Sequence, residues 1–311
     1  MSGMSYVSLV CSKETRHIHL AVAEAAIVGG VLIGTLINGP IIDNWGLDIL
    51  VYTNVAFCLI AVLIVIFFIP ELYKQFAREL TWREILWPDQ ILDTFRCLLK
   101  RRPSNGRLLL NLSMVVYTCI LITVVGFSTV LYLYLVKELG LSTTQHSIYS
   151  AVLSGVKVVL GPSILLLVRR FNVNKFDTAI YMIALAILGY VLLSMGGSIY
   201  LLWIGGILLC GQITIVAVLR GLQASIVDED EMGKLFAWDA FIQIISASLI
   251  SILYNSLYGW CVSFWPALVF AFSGLLLLFG LVIMCILVIR MNAVNRSEES
   301  TDYTTIHQIN E

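Results

Sequence analysis

Long apolar runs separated by short polar breaks set the pattern of the chain. Eight of these runs reach the ~20 residues needed to cross ~30 Å of hydrocarbon. They are His19–Ile42, Leu47–Ile69, Leu108–Val136, His146–Val168, Phe176–Met195, Ile199–Arg220, Leu235–Tyr258 and Phe264–Ile289. A single run of this kind also fits a buried helix of a soluble protein. Eight in series, with little polar chain between them, predict an all-α membrane protein with eight transmembrane helices. The 311 residues are 59% hydrophobic and 13% charged, against about 45–50% and about 25% in soluble domains. Mean hydropathy is +0.92. A soluble enzyme is excluded, and so is a receptor with a large soluble domain. The longest stretch outside the runs, residues 70–107, is too short and too basic to hold one. Residues 1–18 are polar and have no separate apolar region, so no cleavable signal peptide is expected.

Charge gives the orientation. Of the 19 lysines and arginines, 17 fall on the side that also carries both termini. Lys137 is alone on the other side, and Lys157 lies within a span. Positive residues favour the cytoplasm, so both termini are expected there. Trp45, Trp203, Trp260 and Trp265 mark the outer boundary, and Trp82, Trp87 and Trp238 the inner one. Cys261 is the one cysteine expected to face outward, so no outer disulfide is predicted. The net charge of −1 gives no electrostatic argument for nucleic acid.

The organisation is lopsided. A cytoplasmic segment (1–18) precedes two helices (19–69), a basic loop (70–107), six closely spaced helices (108–290) and a cytoplasmic tail (291–311). Within the loop, Asp89–Arg101 places Ile91, Leu92, Phe95, Leu98 and Leu99 on one helical face. Such a helix lies on the inner leaflet or packs on the protein's own cytoplasmic ends. Many transporters join two six-helix halves by a long cytoplasmic loop. The pattern therefore reads as a complete C-terminal half preceded by a two-helix remnant of the other; a natural eight-span protein is the alternative.

Three local sequences carry a resemblance. They are Lys13-Glu-Thr-Arg16 with Leu20-Ala-Val-Ala-Glu24, then Leu219-Arg-Gly-Leu-Gln-Ala-Ser-Ile-Val227 with Glu231-Met-Gly-Lys-Leu-Phe236, and Leu253-Tyr-Asn-Ser-Leu-Tyr258. In this order they resemble helix five, the junction of helices ten and eleven, and the end of helix eleven in one group of carriers. That group is the proton-coupled folate transporter and thymic stromal cotransporter family (solute carrier family 46) of the major facilitator superfamily. The resemblance covers helices five to twelve of the family. It implies a symporter that uses inward proton flow to carry a small organic, often anionic, solute. It also implies that Glu24 takes part in proton coupling and that Arg220 lines the cavity. The family's folate carrier has a histidine in its seventh helix, whereas Ile122–Phe127 here has none. That departure argues against a histidine-assisted proton step and against folate.

The residues themselves narrow the site. An ion at mid-bilayer costs roughly 2.5–3.5 kcal/mol on insertion scales, so it has a partner or a task. Glu24 lies about five residues into the first span, ~8 Å deep; a proton carrier and a hydrogen-bonded interfacial glutamate are both open. Arg220 ends the sixth run, as a positive-inside anchor or as a bidentate contact for an anionic substrate. Lys157 lies ~16 Å from the outer surface, too deep to snorkel easily; an ion pair with Glu24, broken on protonation, is one expectation. Asp239 is a second buried carboxylate for proton coupling, or an interfacial cap. Tyr117, Gln212, Gln243 and Asn54 line a substrate cavity or tie helices together. Gly30-x-x-x-Gly34 permits close helix approach, and Gly39-Pro40 invites a bend.

Motifs for metallopeptidases, nucleophile elbows, nucleotide loops or metal clusters are absent from the sequence, so no enzyme, cofactor or metal is expected. The acidic run Asp228–Glu231 reads as a solvated loop neutralised by Lys234 and Arg220. Tyr303-Thr-Thr-Ile306 has the form of an endosomal or lysosomal sorting signal, so plasma and endolysosomal membranes both remain open. The expected partners are the lipid bilayer, a small solute and protons; oligomeric state is not legible. The competing reading is an eight-helix protein that does not transport and acts through a full-length relative.

Overall fold

A backbone in hydrocarbon must satisfy its own N–H and C=O groups, so each apolar run folds as a helix. The computed structural model describes Val7, Cys11, Lys100, Arg102 and residues 15–68, 105–228 and 231–309, except the side chains of Arg16, His17, Ala21, Glu24, Phe68 and residues 294–309. The amphipathic segment expected at Asp89–Arg101 lies, Lys100 aside, outside the described residues, as do the side chains of the Tyr303–Ile306 motif. The helices are α1 (Arg16–Trp45), α2 (Leu47–Phe68), α3 (Gly106–Leu139), α4 (Thr143–Arg170), α5 (Lys175–Ser194), α6 (Ile199–Leu209), α7 (Gln212–Ile226), α8 (Met232–Cys261) and α9 (Leu268–Ile309). They supply eight membrane-length spans among the described residues, with α6 and α7 forming one span through a tight turn at Cys210–Gly211. The fold is the expected all-α membrane protein.

Local chemistry sets the helix ends. Gly140 closes α3 in the left-handed conformation (φ 64°), where a side chain would be strained. Two residues later Ser142 opens α4 with a capping box, its hydroxyl accepting from the Gln145 N–H while the Gln145 side chain accepts from the Ser142 N–H.

The main core joins α3 to α9 and contains no residue of α1 or α2 among those described. Large aromatics fill it, several with their polar ends satisfied. The Tyr190 hydroxyl donates to the Thr123 carbonyl (2.9 Å), and Tyr254 meets Ser273 Oγ at 2.9 Å. A smaller cluster brings Leu20 of α1 against Leu110, Met114, Ala224 and Phe236. Cys261, at the end of α8, is buried in the main core, and its thiol donates a hydrogen bond to the Tyr258 carbonyl.

Helix α1 runs antiparallel along α4. A Cβ on Gly39 would lie 2.7 Å from Ser147 Cβ, one on Gly155 would lie 3.2 Å from Leu32 Cδ1, and one on Gly29 would lie 3.9 Å from Val158 Cγ2. Asp43 accepts a hydrogen bond from Thr144. The expected close approach at Gly30 and Gly34 is absent among the described residues: a Cβ at either meets none of their atoms within 4 Å. The helix packs instead through the stripe carrying Gly29, Leu32 and Gly39, which a spacing rule centred on Gly30 misses. Helix α2 leans on α1 and stays apolar and exposed along most of its length, the pattern of a helix covered by lipid.

One end of the bundle is basic and carries an ionic clasp. Lys100 Nζ lies 2.7 Å from Glu231 Oε1 and 3.5 Å from Asp228 Oδ2, and Arg102 Nη2 lies 2.9 Å from Glu231 Oε2. The chain entering α3 is thus tied to the turn between α7 and α8. Lys100 and Arg102 therefore take the place expected of Lys234 and Arg220. Burial alone would push the Glu231 carboxyl up, but hydrogen bonds from Lys100 and Arg102, and their charges, outweigh it and hold the carboxyl below its usual range.

Candidate functional site

Three helices bring polar side chains together inside the basic half of the bundle. Tyr117 lies eleven residues into α3, ~16 Å from its start. Arg220 lies six residues before the end of α7, and Asp239 seven residues after the start of α8, each ~9–10 Å deep. Arg220 Nη2 donates to the Tyr117 hydroxyl at 2.6 Å, while its guanidinium carbon stands 5.3 Å from the Tyr117 ring centre. Arg220 Nε lies 3.6 Å from Asp239 Oδ2. The residues are 5% (Arg220) and 1% (Asp239) exposed.

That distance makes an ion pair rather than a hydrogen bond, and neither Asp239 oxygen accepts a hydrogen bond among the described residues. A buried pair is stable while both charges are present, and removing one is expensive. The arrangement therefore has two chemically distinct conditions. With Asp239 ionised, the pair is neutral. With one proton on Asp239, the pair itself carries a net positive charge, a condition in which the guanidinium suits a second carboxylate.

Arg220 does not end its span, as the hydropathy pattern suggested, and so is not an interfacial anchor. The helix runs on to Ile226 because Tyr117 and Asp239 give the guanidinium a protein environment. The interfacial-cap reading of Asp239 fails for the same reason: it is buried within α8 and makes no cap. Gln212 and Gln223 share a face of α7 with Arg220 at helical spacing. Gln212 Nε2 and Gln223 Oε1 are buried and unpartnered among the described residues, while Gln223 Nε2 reaches Met114 Sδ at 3.5 Å. Gln223 was missed in the sequence; its signal was its place one turn from Arg220.

Other expected residues stand apart from this cluster. Gln243, one turn beyond Asp239, and Asn54 on α2 are both exposed. Lys157 is half-buried on α4, outside the Arg220–Asp239–Tyr117 group. The side chain of Glu24 lies outside the described residues, so its expected pairing with Lys157 does too.

Eight membrane-length apolar spans among the described residues, three of them carrying the embedded charge cluster, define a multi-pass membrane protein. The family model described as Major Facilitator Superfamily matches residues 1–250, so the chain belongs to that superfamily of membrane transporters. A comparison with curated proteins found no match.

Proposed function

We propose that this membrane transporter is a proton-coupled symporter of a small organic anion, of the kind resembled by solute carrier family 46, working by alternating access. The observation that carries the reading is the buried Arg220–Asp239 pair with Tyr117 donated to by the guanidinium. A proton arriving on Asp239 cancels its charge, and the anionic solute takes over as counter-ion to Arg220. Release of the solute and the proton on the other side restores the pair. Coupling follows because each ligand favours the condition the other prepares. Glu24 is a second proton-coupling carboxylate on the strength of its motif.

Residues 108–290 act in this scheme as a complete half, and residues 19–69 as part of the opposing one; a main core free of α1 and α2 residues supports that division. The rows of small residues between α1 and α4 suit two bodies that move against each other. Both termini are cytoplasmic by the lysine and arginine bias, in a plasma or endolysosomal membrane. The test is uptake of labelled glutarate and phthalate by liposomes holding the full chain. Uptake that follows an inward acid gradient, and stops when a protonophore collapses it, supports the reading. Uptake indifferent to the gradient overturns proton coupling.

A further inference from the structure

We propose that Lys157 is the anchoring cation for a carboxylate group of the transported solute, at a place separate from the Arg220–Asp239 pair. The inference rests on the transporter reading and adds a substrate contact to it.

Lys157 sits near the middle of α4, fourteen residues from Thr143 and thirteen from Arg170, ~20 Å from either end. A stripe of α4 at four-residue spacing faces the α6–α7 span. The Tyr149 hydroxyl donates to the Leu202 carbonyl at 2.9 Å, and Leu153 Cδ1 lies 2.9 Å from where a Cβ of Gly206 would stand. The Cys210 thiol reaches the Leu153 carbonyl at 3.5 Å, and a Cβ of Gly161 would meet Ile213 Cγ2 at 2.9 Å. Lys157 falls in this stripe between Leu153 and Gly161, level with the turn at Cys210–Gly211.

Charge accounting separates the two embedded cations. Arg220 faces Asp239. Lys157 has no hydrogen bond and no acidic side chain within ion-pair reach among the described residues. The α1–α4 contacts set Gly29 against Val158 and Leu32 against Gly155, so Gly30 is level with Lys157. The backbone of Glu24 is six residues further toward the basic end, ~9 Å along the axis. Gly30 is exposed, and a Cβ there or at Gly34 meets no atom within 4 Å among the described residues, so α1 leaves that level of the bundle open on its own exposed side. A compact ammonium with three donors, held too deep to reach the interface, calls for an anion at its own level.

The experiment uses the full chain in lipid nanodiscs without any gradient, so it is independent of whether transport is proton-coupled. Thermal protection is titrated with glutarate, phthalate, their uncharged diamides and chloride. Protection by a dicarboxylate and not by its diamide is expected. Lys157→Arg retains it, while Lys157→Gln and Lys157→Met weaken it by about tenfold or more, the equivalent of one charge-assisted hydrogen bond. The unliganded unfolding midpoint of each variant shows that it is folded. Wild-type affinity in both neutral variants overturns the proposal, as does equal protection by chloride or the absence of carboxylate binding to wild type.

Discussion

Replacing Asp239 with Asn removes one charge from the buried pair while keeping the side chain's shape. Across the 3.6 Å separation, Coulomb attraction at an effective permittivity of about 20 is about 4–5 kcal/mol. Desolvation offsets much of that in the intact pair, but a single-partner loss leaves the guanidinium's charge buried and costs about 3–5 kcal/mol. For a chain of this size that is a fall of about 6–15 °C in the unfolding midpoint. Replacing both partners with apolar residues, Arg220→Met with Asp239→Leu, removes the desolvation burden as well and recovers most of the loss. The assay is a double-mutant cycle on Arg220→Met, Asp239→Leu and the double variant by thermal unfolding in detergent. A coupling energy above about 1.5 kcal/mol is expected. Additivity to within about 0.5 kcal/mol would show that the two groups are independent and do not form a pair, because independent sites add that closely.

The clasp at the basic end gives a pH signature. The Glu231 carboxyl is held below its usual range, so its stabilisation is present above about pH 4.3 and lost as pH falls through the depressed value. The stability gap between wild type and Glu231→Gln is therefore constant from about pH 8 to 5 and closes in stronger acid; a gap that widens on acidification contradicts this. A glycine pair tests the helix packing. A Cβ on Gly126 would lie 2.5 Å from Tyr254 Cδ1, whereas one on Gly34 meets nothing within 4 Å. Gly126→Ala is expected to destabilise by about 1–3 kcal/mol, and Gly34→Ala to be neutral or stabilising by up to about 1 kcal/mol, both read by chemical unfolding.

The spans were legible because hydrocarbon admits few backbone solutions: all eight apolar runs reappear as membrane-length spans with ends shifted by a few residues, although the last helix itself runs on to Ile309. Among the span ends, that of the sixth shifted furthest. Hydropathy falls at Arg220, yet the helix continues to Ile226 because partners from α3 and α8 surround the guanidinium. No one-dimensional scale contains those partners. Arg220, Asp239 and Tyr117 were each legible as polar groups in apolar runs, but their meeting was not, since 103 positions separate Arg220 from Tyr117. The clasp was hidden for the same reason, spanning 131 positions between Lys100 and Glu231. The glycines of α1 misled because spacing identifies a stripe without saying which stripe has a neighbour.

The most direct test is to count protons and cargo together. Liposomes holding the full chain and an internal pH dye are given phthalate outside under an acid gradient. Wild type is expected to acidify the interior in step with phthalate entry, and Asp239→Asn to lose this proton movement even where some phthalate exchange survives. Unaltered proton entry per phthalate in Asp239→Asn would contradict this expectation.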